Sequence, residues 1–332
     1  MRGRARSVQL KIALQSAHQE ILYSLEAAWL PRTSTLGRME STFVAADRFL
    51  LNQARLLERR LFASCFLGAP GSGVVDALRG YQNEDGGFGQ ALEPDTRCPA
   101  SLPVYVETAF QALAAARVVD LPMVLGACEF LARSAEDANA KGAVPLAFPL
   151  IESFPRAAHW TEWTYEPALN PTAGLVGLLY ELGVEHPWRD QAARYCWDVI
   201  ESGAPLEGVH TVLEALVFLE HVPEKERADD LAMRIASRFG ETEGLLLDPA
   251  TPGYGLSPLH FAPTPTSRWR KLFTGSQIST ALDHLQNSQQ PDGGWPLNWE
   301  PPSEAAALEW RGVVTLESLR FLVSYGRITP EF

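Results

Sequence analysis

The sequence predicts an all-α protein in which an inner and an outer ring of helices pack together. No stretch alternates polar and apolar residues for more than a few positions, as a half-buried strand would. Two kinds of helical stretch alternate instead: residues 170–184 are small and apolar on nearly all sides, whereas residues 186–203 are amphipathic. A helix buried on two sides is expected to be apolar all round, and a helix with a solvent face is not.

The helical stretches follow one another along most of the chain. The apolar stretch 208–222 is followed by 223–240, which is polar on one face and begins with a proline at a helix start. The two Pro-rich segments 141–168 and 248–268 are longer than simple turns and are predicted to be functional loops at the ring's mouth. The other predicted helices lie within residues 73–82, 104–119, 121–135, 276–289 and 311–326.

A glycine-rich turn occurs near both ends of the chain, at residues 82–88 and 289–295. Each turn reads Gln-x-x-Asp-Gly-Gly-aromatic, and each aspartate precedes a helical threonine, Thr108 or Thr315, by 23 residues. The glutamine can bond backbone groups where a helix ends, the aspartate can cap the next segment, and the glycines allow positive φ. An internal repeat of this size predicts stacked helix pairs.

These turns, QNEDGGFG and QQPDGGW, resemble the QW-type repeats of squalene–hopene and oxidosqualene cyclases and the GGF turns of protein prenyltransferase β-subunits. The resemblance implies an (α/α)6 toroid over residues 40–330 and a terpenoid cyclase-like enzyme. Such an enzyme would act on a prenyl diphosphate or a polyprene. The chain lacks the DxDD and DDxxD motifs of these enzymes, and residues 95–98 have the wrong spacing for the prenyltransferase zinc ligands, so no metal site is expected.

The loop after the first turn contains the first candidate acids, Glu93 and Asp95, which flank a rigid proline. Crowded carboxylates in a dry mouth would raise one pKa and leave a proton available for protonation-initiated cyclisation. Glu309, at the corresponding place before Thr315, is the third candidate acid. The alternative is that these carboxylates only cap the loops and pair with Arg97.

Basic and aromatic side chains are the candidates for substrate binding. Arg268, Arg270 and Lys271 form the densest basic cluster, which could clamp a diphosphate, with Mg²⁺ as the cofactor that such a substrate would use. Alternatively, the cluster is a solvated helix start. Aromatic faces would stabilise a carbocation. The other predicted substrate-binding residues are Arg97, Trp160, His210, Tyr254, His260, Phe261, Trp310 and Arg311.

The bulk composition limits the partners. The formal net charge of −12 over 332 residues argues against nucleic acid, and no run of eighteen apolar residues predicts a transmembrane helix. Four widely separated cysteines without a CxxC pair are typical of a reducing cytoplasm. Residues 1–38 carry six basic and two acidic side chains and are predicted to be an extension, helical or disordered, outside a single toroid domain of residues 39–332.

Three functions therefore stay open at this point. The first is a cyclase-like enzyme with a noncanonical acid, acting on a hydrophobic isoprenoid-like molecule. The second is a noncatalytic toroid that binds a hydrophobic ligand or a protein. The third is a carbohydrate-active α/α toroid, a class that uses paired carboxylates in an open, Trp-lined cleft.

Overall fold

A computed structural model describes residues 41–160 and 164–331, so the predicted extension 1–38 lies outside the described residues. The chain from Ser41 onward forms one compact unit. The described residues contain twelve α-helices and no strand, which confirms the all-α class. The helices are α1 (Thr42–Gln53), α2 (Leu56–Phe66), α3 (Ser72–Leu78), α4 (Pro103–Ala115), α5 (Leu121–Asp137), α6 (Leu169–Glu181), α7 (Pro187–Glu201), α8 (Gly208–His221), α9 (Lys225–Ala236), α10 (Pro258–Phe261), α11 (Gly275–Asn287) and α12 (Glu304–Ser324).

The even-numbered helices form a closed circuit of contacts. Helix α2 packs against α4, α4 against α6, α6 against α8 and α8 against α10, and α12 packs back against α2. The remaining link joins α10 to α12, where the His260 ring lies 5.5 Å from the Phe321 ring, edge to face. Of the odd-numbered helices, α1, α3, α7 and α11 each contact the even-numbered helices on both sides, whereas α5 contacts α4 and α7, and α9 contacts α8. These contacts agree with the double ring expected from the alternation of apolar and amphipathic stretches. We call the space inside the even-numbered helices the bore.

The tightest contact in the ring, between α6 and α8, depends on glycine. A methyl group added at Gly177 would lie only 2.7 Å from the carbonyl oxygen of Val217, so the two backbones could not approach as closely with any larger residue. Every residue of α6 from Pro171 to Leu179 is buried. The apolar composition of this stretch therefore matches its place between neighbouring helices of the inner ring.

The two glycine-rich turns join successive helix pairs. In the first turn, Gln82 Nε2 donates to the carbonyl oxygens of Gly86 (2.9 Å) and Met123 (3.0 Å), and Met123 lies at the start of α5. Gly86 has a φ of 86°, and a methyl group there would overlap the backbone of Gly126. The aspartate of the turn, Asp85, accepts a 3.0 Å hydrogen bond from the Gly87 amide. The first turn therefore fastens the end of one helix pair to the outer helix of the next.

The second turn makes the same contacts with the first helix of the ring. Gln289 Nε2 donates to the carbonyl oxygens of Gly293 and Thr42, both at 2.9 Å. Gly293, with a φ of 97°, lies against the backbone of Ala45 so closely that a methyl group would overlap it. The aspartate of this turn, Asp292, accepts from the Gly294 amide at 3.1 Å. The turn after α11 therefore fastens the last helix pair to α1.

The two equivalent threonines do not share a contact. Thr315 accepts a 3.0 Å hydrogen bond from the Trp295 amide of the second turn. Thr108 instead donates to the Val104 carbonyl oxygen, one turn earlier on its own helix. The equal spacing of 23 residues thus marks the repeated architecture, whereas the bond between threonine and turn exists only in the second copy.

Candidate functional site

The loop that carries the first two candidate acids lies at the mouth, the end of the ring where the even-numbered helices begin. Backbone bonds fix this loop, because the Asp95 carbonyl oxygen accepts from Ala157 (2.7 Å) and the Arg97 amide donates to Pro155 (2.9 Å). On the other side, the Tyr105 hydroxyl of α4 donates to the Thr96 carbonyl oxygen at 2.9 Å. The loop is therefore held between α4 and the segment 153–160, which fixes the backbone beside Asp95.

Asp95 has one carboxylate oxygen fixed and the other directed towards an imidazole. Its Oδ1 accepts a 2.8 Å hydrogen bond from Trp310 Nε1, and its Oδ2 lies 3.7 Å from His159 Nε2. Only 4% of Asp95 is exposed. Burial raises the pKa of Asp95, while the N–H of Trp310, the charge of His159 and the nearby Trp299 act in the opposite direction.

Glu93 is the stronger proton holder of the two. Burial, followed by the charge of Asp95, raises the pKa of Glu93 to about 8, although backbone N–H groups and Arg55 favour the ionised form. Its Oε2 accepts a 3.2 Å hydrogen bond from the Asp95 amide. Glu93 nevertheless remains partly accessible. The Glu93–Asp95 pair therefore carries a proton at neutral pH.

The two arginines at the mouth, Arg55 and Arg97, form ion pairs with glutamates other than Glu93. Arg97 binds Glu309 through two hydrogen bonds, of 2.5 and 3.1 Å. Arg55, which the sequence reasoning missed, binds Glu58 at 3.0 and 2.5 Å and donates to the Leu92 carbonyl oxygen at 2.8 Å. No ion pair with arginine or lysine is recorded for Glu93 or Asp95 in the described parts of the chain. Glu309 therefore serves as the partner of Arg97 and is not positioned as a free acid.

A wall of aromatic rings lies beside the two acids. Trp310 contacts Trp299 at 5.1 Å between ring centroids, and Trp299 contacts Tyr254 at 5.8 Å, each pair nearly perpendicular. Tyr254 stacks on His210 and lies 2.6 Å from its Nε2 through the hydroxyl group. Trp299 was not predicted; its only signal is a tryptophan in a Pro-rich loop that follows the second turn. These rings come from α8, α12 and the loops before α10 and α12.

Two more imidazoles complete the mouth. Burial, together with the charges of His260 and His159, lowers the pKa of His210 to about 4, so its ring is neutral and able to accept a proton. His260 Nε2 lies 3.6 Å from Glu317 Oε2 on α12. The structure thus brings together five predicted residues, Glu93, Asp95, His210, Tyr254 and Trp310, with His260 at the side.

The predicted diphosphate clamp is not at the mouth. Arg268 donates to the Leu219 carbonyl oxygen (2.9 Å) and pairs with Asp229, and Lys271 pairs with the same Asp229 at 2.8 Å. These contacts lie at the C-terminal end of α8, whereas His210 lies at its N-terminal end. The third cation, Arg270, donates to the Phe273 carbonyl oxygen at 2.8 Å. The basic cluster is therefore used to close the end of a helix, far along α8 from the candidate acids.

Three further candidate substrate-binding residues make contacts that support the fold. Arg311, predicted to bind an anion, holds Asp292 of the second turn through two 2.7 Å hydrogen bonds. Phe261 is buried against the Phe239 and Phe273 rings. Trp160 is also buried, beside the partly exposed His159. Of this loop, His159 and not Trp160 is the side chain that reaches Asp95.

The described residues contain no cluster of three or more histidine, cysteine, aspartate or glutamate side chains that could hold a metal ion. The four cysteines are free thiols. No helix in the described ranges is long and apolar enough to cross a membrane.

Comparisons with known proteins add little to this geometry. No family model matches the chain, and no curated protein matches it. Four chains among the solved structures do match. One is a protein from Actinoplanes known by its crystal structure, with 18% sequence identity and a TM-score of 0.49 over 85% of this chain and 99% of that one. A likeness of that size leaves the function to be argued from the site itself.

Proposed function

We propose that this protein is a terpenoid cyclase-like acid–base enzyme that protonates a neutral, largely apolar substrate at the mouth of the ring. One observation carries the proposal. Buried Asp95 and partly accessible Glu93 lie beside a wall of aromatic rings and have no arginine or lysine partner among the described residues, and burial raises the pKa of both carboxyl groups. Proton donation and stabilisation of the resulting cation are thereby available at one place.

The chemistry follows from the contacts. The proton held by Glu93 would reach the substrate through Asp95, whose Oδ1 is fixed by Trp310 and whose Oδ2 is left to donate to a carbon–carbon double bond or an epoxide oxygen. The positive charge then formed on the substrate would lie near the rings of Trp299, Trp310 and Tyr254, each contributing about 0.5–2 kcal/mol. Loss of a proton from the cyclised cation to neutral His210 would end the reaction, and solvent would return that proton to the acid pair.

The substrate class also follows from the charges at the mouth. The cations predicted to clamp a diphosphate are bound to Asp229 and to backbone carbonyl groups elsewhere. Arg55 and Arg97 at the mouth are already paired with glutamates. A polyprene without a diphosphate therefore fits the site better than a prenyl diphosphate, and the proposed reaction has no step that calls for Mg²⁺.

One observation favours a carbohydrate-active enzyme as the second candidate. Three imidazoles, His159, His210 and His260, and the 47%-exposed Tyr254 surround the acids with groups that bind hydroxyls. Two carboxylates beside tryptophans also suit a sugar ring. The noncatalytic alternative called for all three candidate acids to lie in ion pairs; Glu309 pairs with Arg97 and Asp95 lies 3.7 Å from His159, whereas Glu93 has no such partner among the described residues.

The test is incubation of the purified full chain in D₂O with squalene, with farnesyl and geranylgeranyl diphosphate with and without Mg²⁺, and with a panel of oligosaccharides. Mass spectrometry would count the deuterium atoms in each product. We expect a cyclised hydrocarbon or alcohol that carries one deuterium from the acid, formed at least a hundredfold more slowly by Asp95→Asn. The matched variant Glu309→Gln should retain turnover. Oligosaccharide cleavage would support the second candidate, and a cyclised product without deuterium would disprove protonation.

A further inference from the structure

A second carboxyl pair lies within the inner ring, below the mouth. Glu107 on α4 and Glu214 on α8 meet beside Gly174 on α6, and they are only 7% and 5% exposed. A methyl group at Gly174 would overlap Glu214 Oε2 and lie 2.6 Å from Glu107 Oε1. Because Gly174 has no side chain, α6 leaves a space in which the carboxyl groups of α4 and α8 meet.

The contact between the two carboxyl groups requires a shared proton. Glu107 Oε1 and Glu214 Oε2 are sealed from solvent, and no N–H or hydroxyl group donates to either atom. Two ionised carboxylates at this distance would repel one another without compensation. Burial raises the pKa of Glu107 to about 7, and burial together with the charge of Glu107 raises that of Glu214 well above its ordinary value. One carboxyl group therefore donates to the other at neutral pH.

Among the described residues, no cation shifts the pKa of either carboxyl group. Besides Glu107, the titratable side chain of α4 is Tyr105, and those of α6, Tyr180 and Glu181, lie at its C-terminal end. On α8 the nearest is neutral His210, one turn before Glu214. Besides burial, the pKa of each carboxyl group is shifted by the other carboxyl group, and that of Glu214 also by the Gly174 backbone. None of the described charged groups of the other helices shifts either pKa. Across the bore, three acidic groups of α2 and α12 have partners of their own: Glu58 with Arg55, Glu309 with Arg97 and Glu317 with His260.

We propose that Glu107 and Glu214 form a proton-operated clasp, in which one bound proton joins α4 to α8 across α6 and its loss to hydroxide or solvent releases them. Deprotonation breaks the O–H···O bond and leaves two adjacent carboxylates inside the ring. Residues four apart lie on one face of a helix, so movement at Glu214 is transmitted to His210 at the mouth. The clasp thereby makes the wall of the bore sensitive to pH, whatever substrate the mouth accepts.

The expected direction can be worked out from the two states. The native clasp keeps a proton that a glutamate in the unfolded chain has already lost above its ordinary pKa of about 4.3. Between that pH and the native pKa, each retained proton makes the unfolding equilibrium constant rise about tenfold per pH unit. Stability therefore falls as pH rises. Glu93 and Asp95 act in the same direction, so a substitution within the clasp is needed to separate its share.

The experiment is urea unfolding of the full chain between pH 5 and pH 9, for the unsubstituted protein and for Glu107→Gln. The amide of glutamine donates to Glu214 without needing a proton, so this variant mimics the closed clasp at every pH. We expect the unfolding constant of the unsubstituted protein to rise more steeply with pH than that of Glu107→Gln, by one further factor of about ten per pH unit. Glu226→Gln, at an exposed position on α9, should keep the original dependence.

A second readout locates the effect and covers a variant that folds poorly. Hydrogen exchange, corrected for intrinsic rates, should show α4, α6 and α8 losing protection relative to α11 as pH rises, and Glu107→Gln should abolish that loss. Glu214→Gln should give the same result as Glu107→Gln. An unchanged pH dependence in whichever variant folds, or an equal loss of protection in all helices, would overturn the proposal.

Discussion

The side-chain amide of Gln289 donates a 2.9 Å hydrogen bond to the carbonyl oxygen of Thr42, a residue 247 positions earlier in the chain. Thr42 is the first residue of α1, and Gln289 follows α11, so this bond joins the last helix pair of the ring to the first. Gln82 makes the corresponding bond to Met123 between neighbouring pairs. The turn sequence is thus the same device used twice, once for continuing the ring and once for closing it.

The first prediction concerns this closing bond. Gln289→Ala leaves the carbonyl oxygens of Thr42 and Gly293 without their donor, which should lower the free energy of unfolding by about 1–3 kcal/mol. Gln290→Ala is the matched control, because the exposed side chain of Gln290 donates to the nearby Ser288 carbonyl oxygen and not across to α1, and it should change stability by less than about 0.5 kcal/mol. Urea unfolding at pH 7 measures both. Equal effects of the two substitutions would show that Gln289 has no special part in closure.

The sequence predicted these turns because their chemistry is local. A glutamine that ends a helix, an aspartate that accepts from an amide two residues later and a glycine with positive φ can all be identified within seven residues. The alternation of apolar and amphipathic stretches likewise predicted inner and outer helices, because a helix buried on two sides is apolar all round and a helix with a solvent face is amphipathic. The loop of Glu93 and Asp95 was placed at the mouth by the same topology.

The rest of the site could not be predicted, because it depends on which distant side chains meet. The three basic residues at 268–271 looked available in the sequence, yet Arg268 and Lys271 pair with Asp229 and Arg270 donates to the Phe273 carbonyl oxygen. Arg55 and Trp299 carry no motif, and they belong to the mouth only because the ring closes. The clasp was missed for the same reason: Glu107 and Glu214 carry no motif in their apolar helices, and only the gap at Gly174 shows that they meet.

The second prediction concerns that gap. Gly174→Ala places a methyl group where Glu214 Oε2 lies and should destabilise the protein by about 1–3 kcal/mol through overpacking of the inner ring. Gly275→Ala is the control, because Gly275 begins α11, has no atom within 4 Å of the added methyl group and should be neutral or slightly stabilising. Thermal unfolding of both variants checks the comparison. A neutral Gly174→Ala would mean that the two carboxyl groups do not occupy this space.

The third prediction is the pH dependence of turnover. If the Glu93–Asp95 pair supplies the proton, kcat should fall as pH rises through about 8, where Glu93 becomes ionised. Glu93→Gln removes that titration and should move the alkaline limb to the pKa of Asp95. The measurement is kcat against pH for both proteins with the substrate found in the deuterium experiment. An identical alkaline limb in the variant would assign the proton to another group.

The fourth prediction concerns Trp310, whose N–H favours ionised Asp95. Trp310→Phe keeps an aromatic ring but removes the 2.8 Å hydrogen bond to Oδ1, so the pKa of Asp95 should rise further above its ordinary value. Infrared difference spectra of the carboxyl band, recorded against Asp95→Asn, would follow that titration directly. The shift should be accompanied by slower turnover, because the carboxyl group loses its fixed orientation. A titration that moves to lower pH would contradict the assigned role of the indole.

The last prediction separates a structural from a catalytic use of the basic cluster. Arg268 donates to carbonyl oxygens at the end of α8 and pairs with Asp229, so Arg268→Ala should lower the free energy of unfolding by about 1–3 kcal/mol and leave KM unchanged. Arg270→Ala is the companion variant, since the Arg270 side chain donates to the nearby Phe273 carbonyl oxygen. Both should turn over a diphosphate-free polyprene normally. A KM that rises at least tenfold for a prenyl diphosphate, in either variant at unchanged stability, would restore these residues to the substrate site and make the diphosphate part of the substrate.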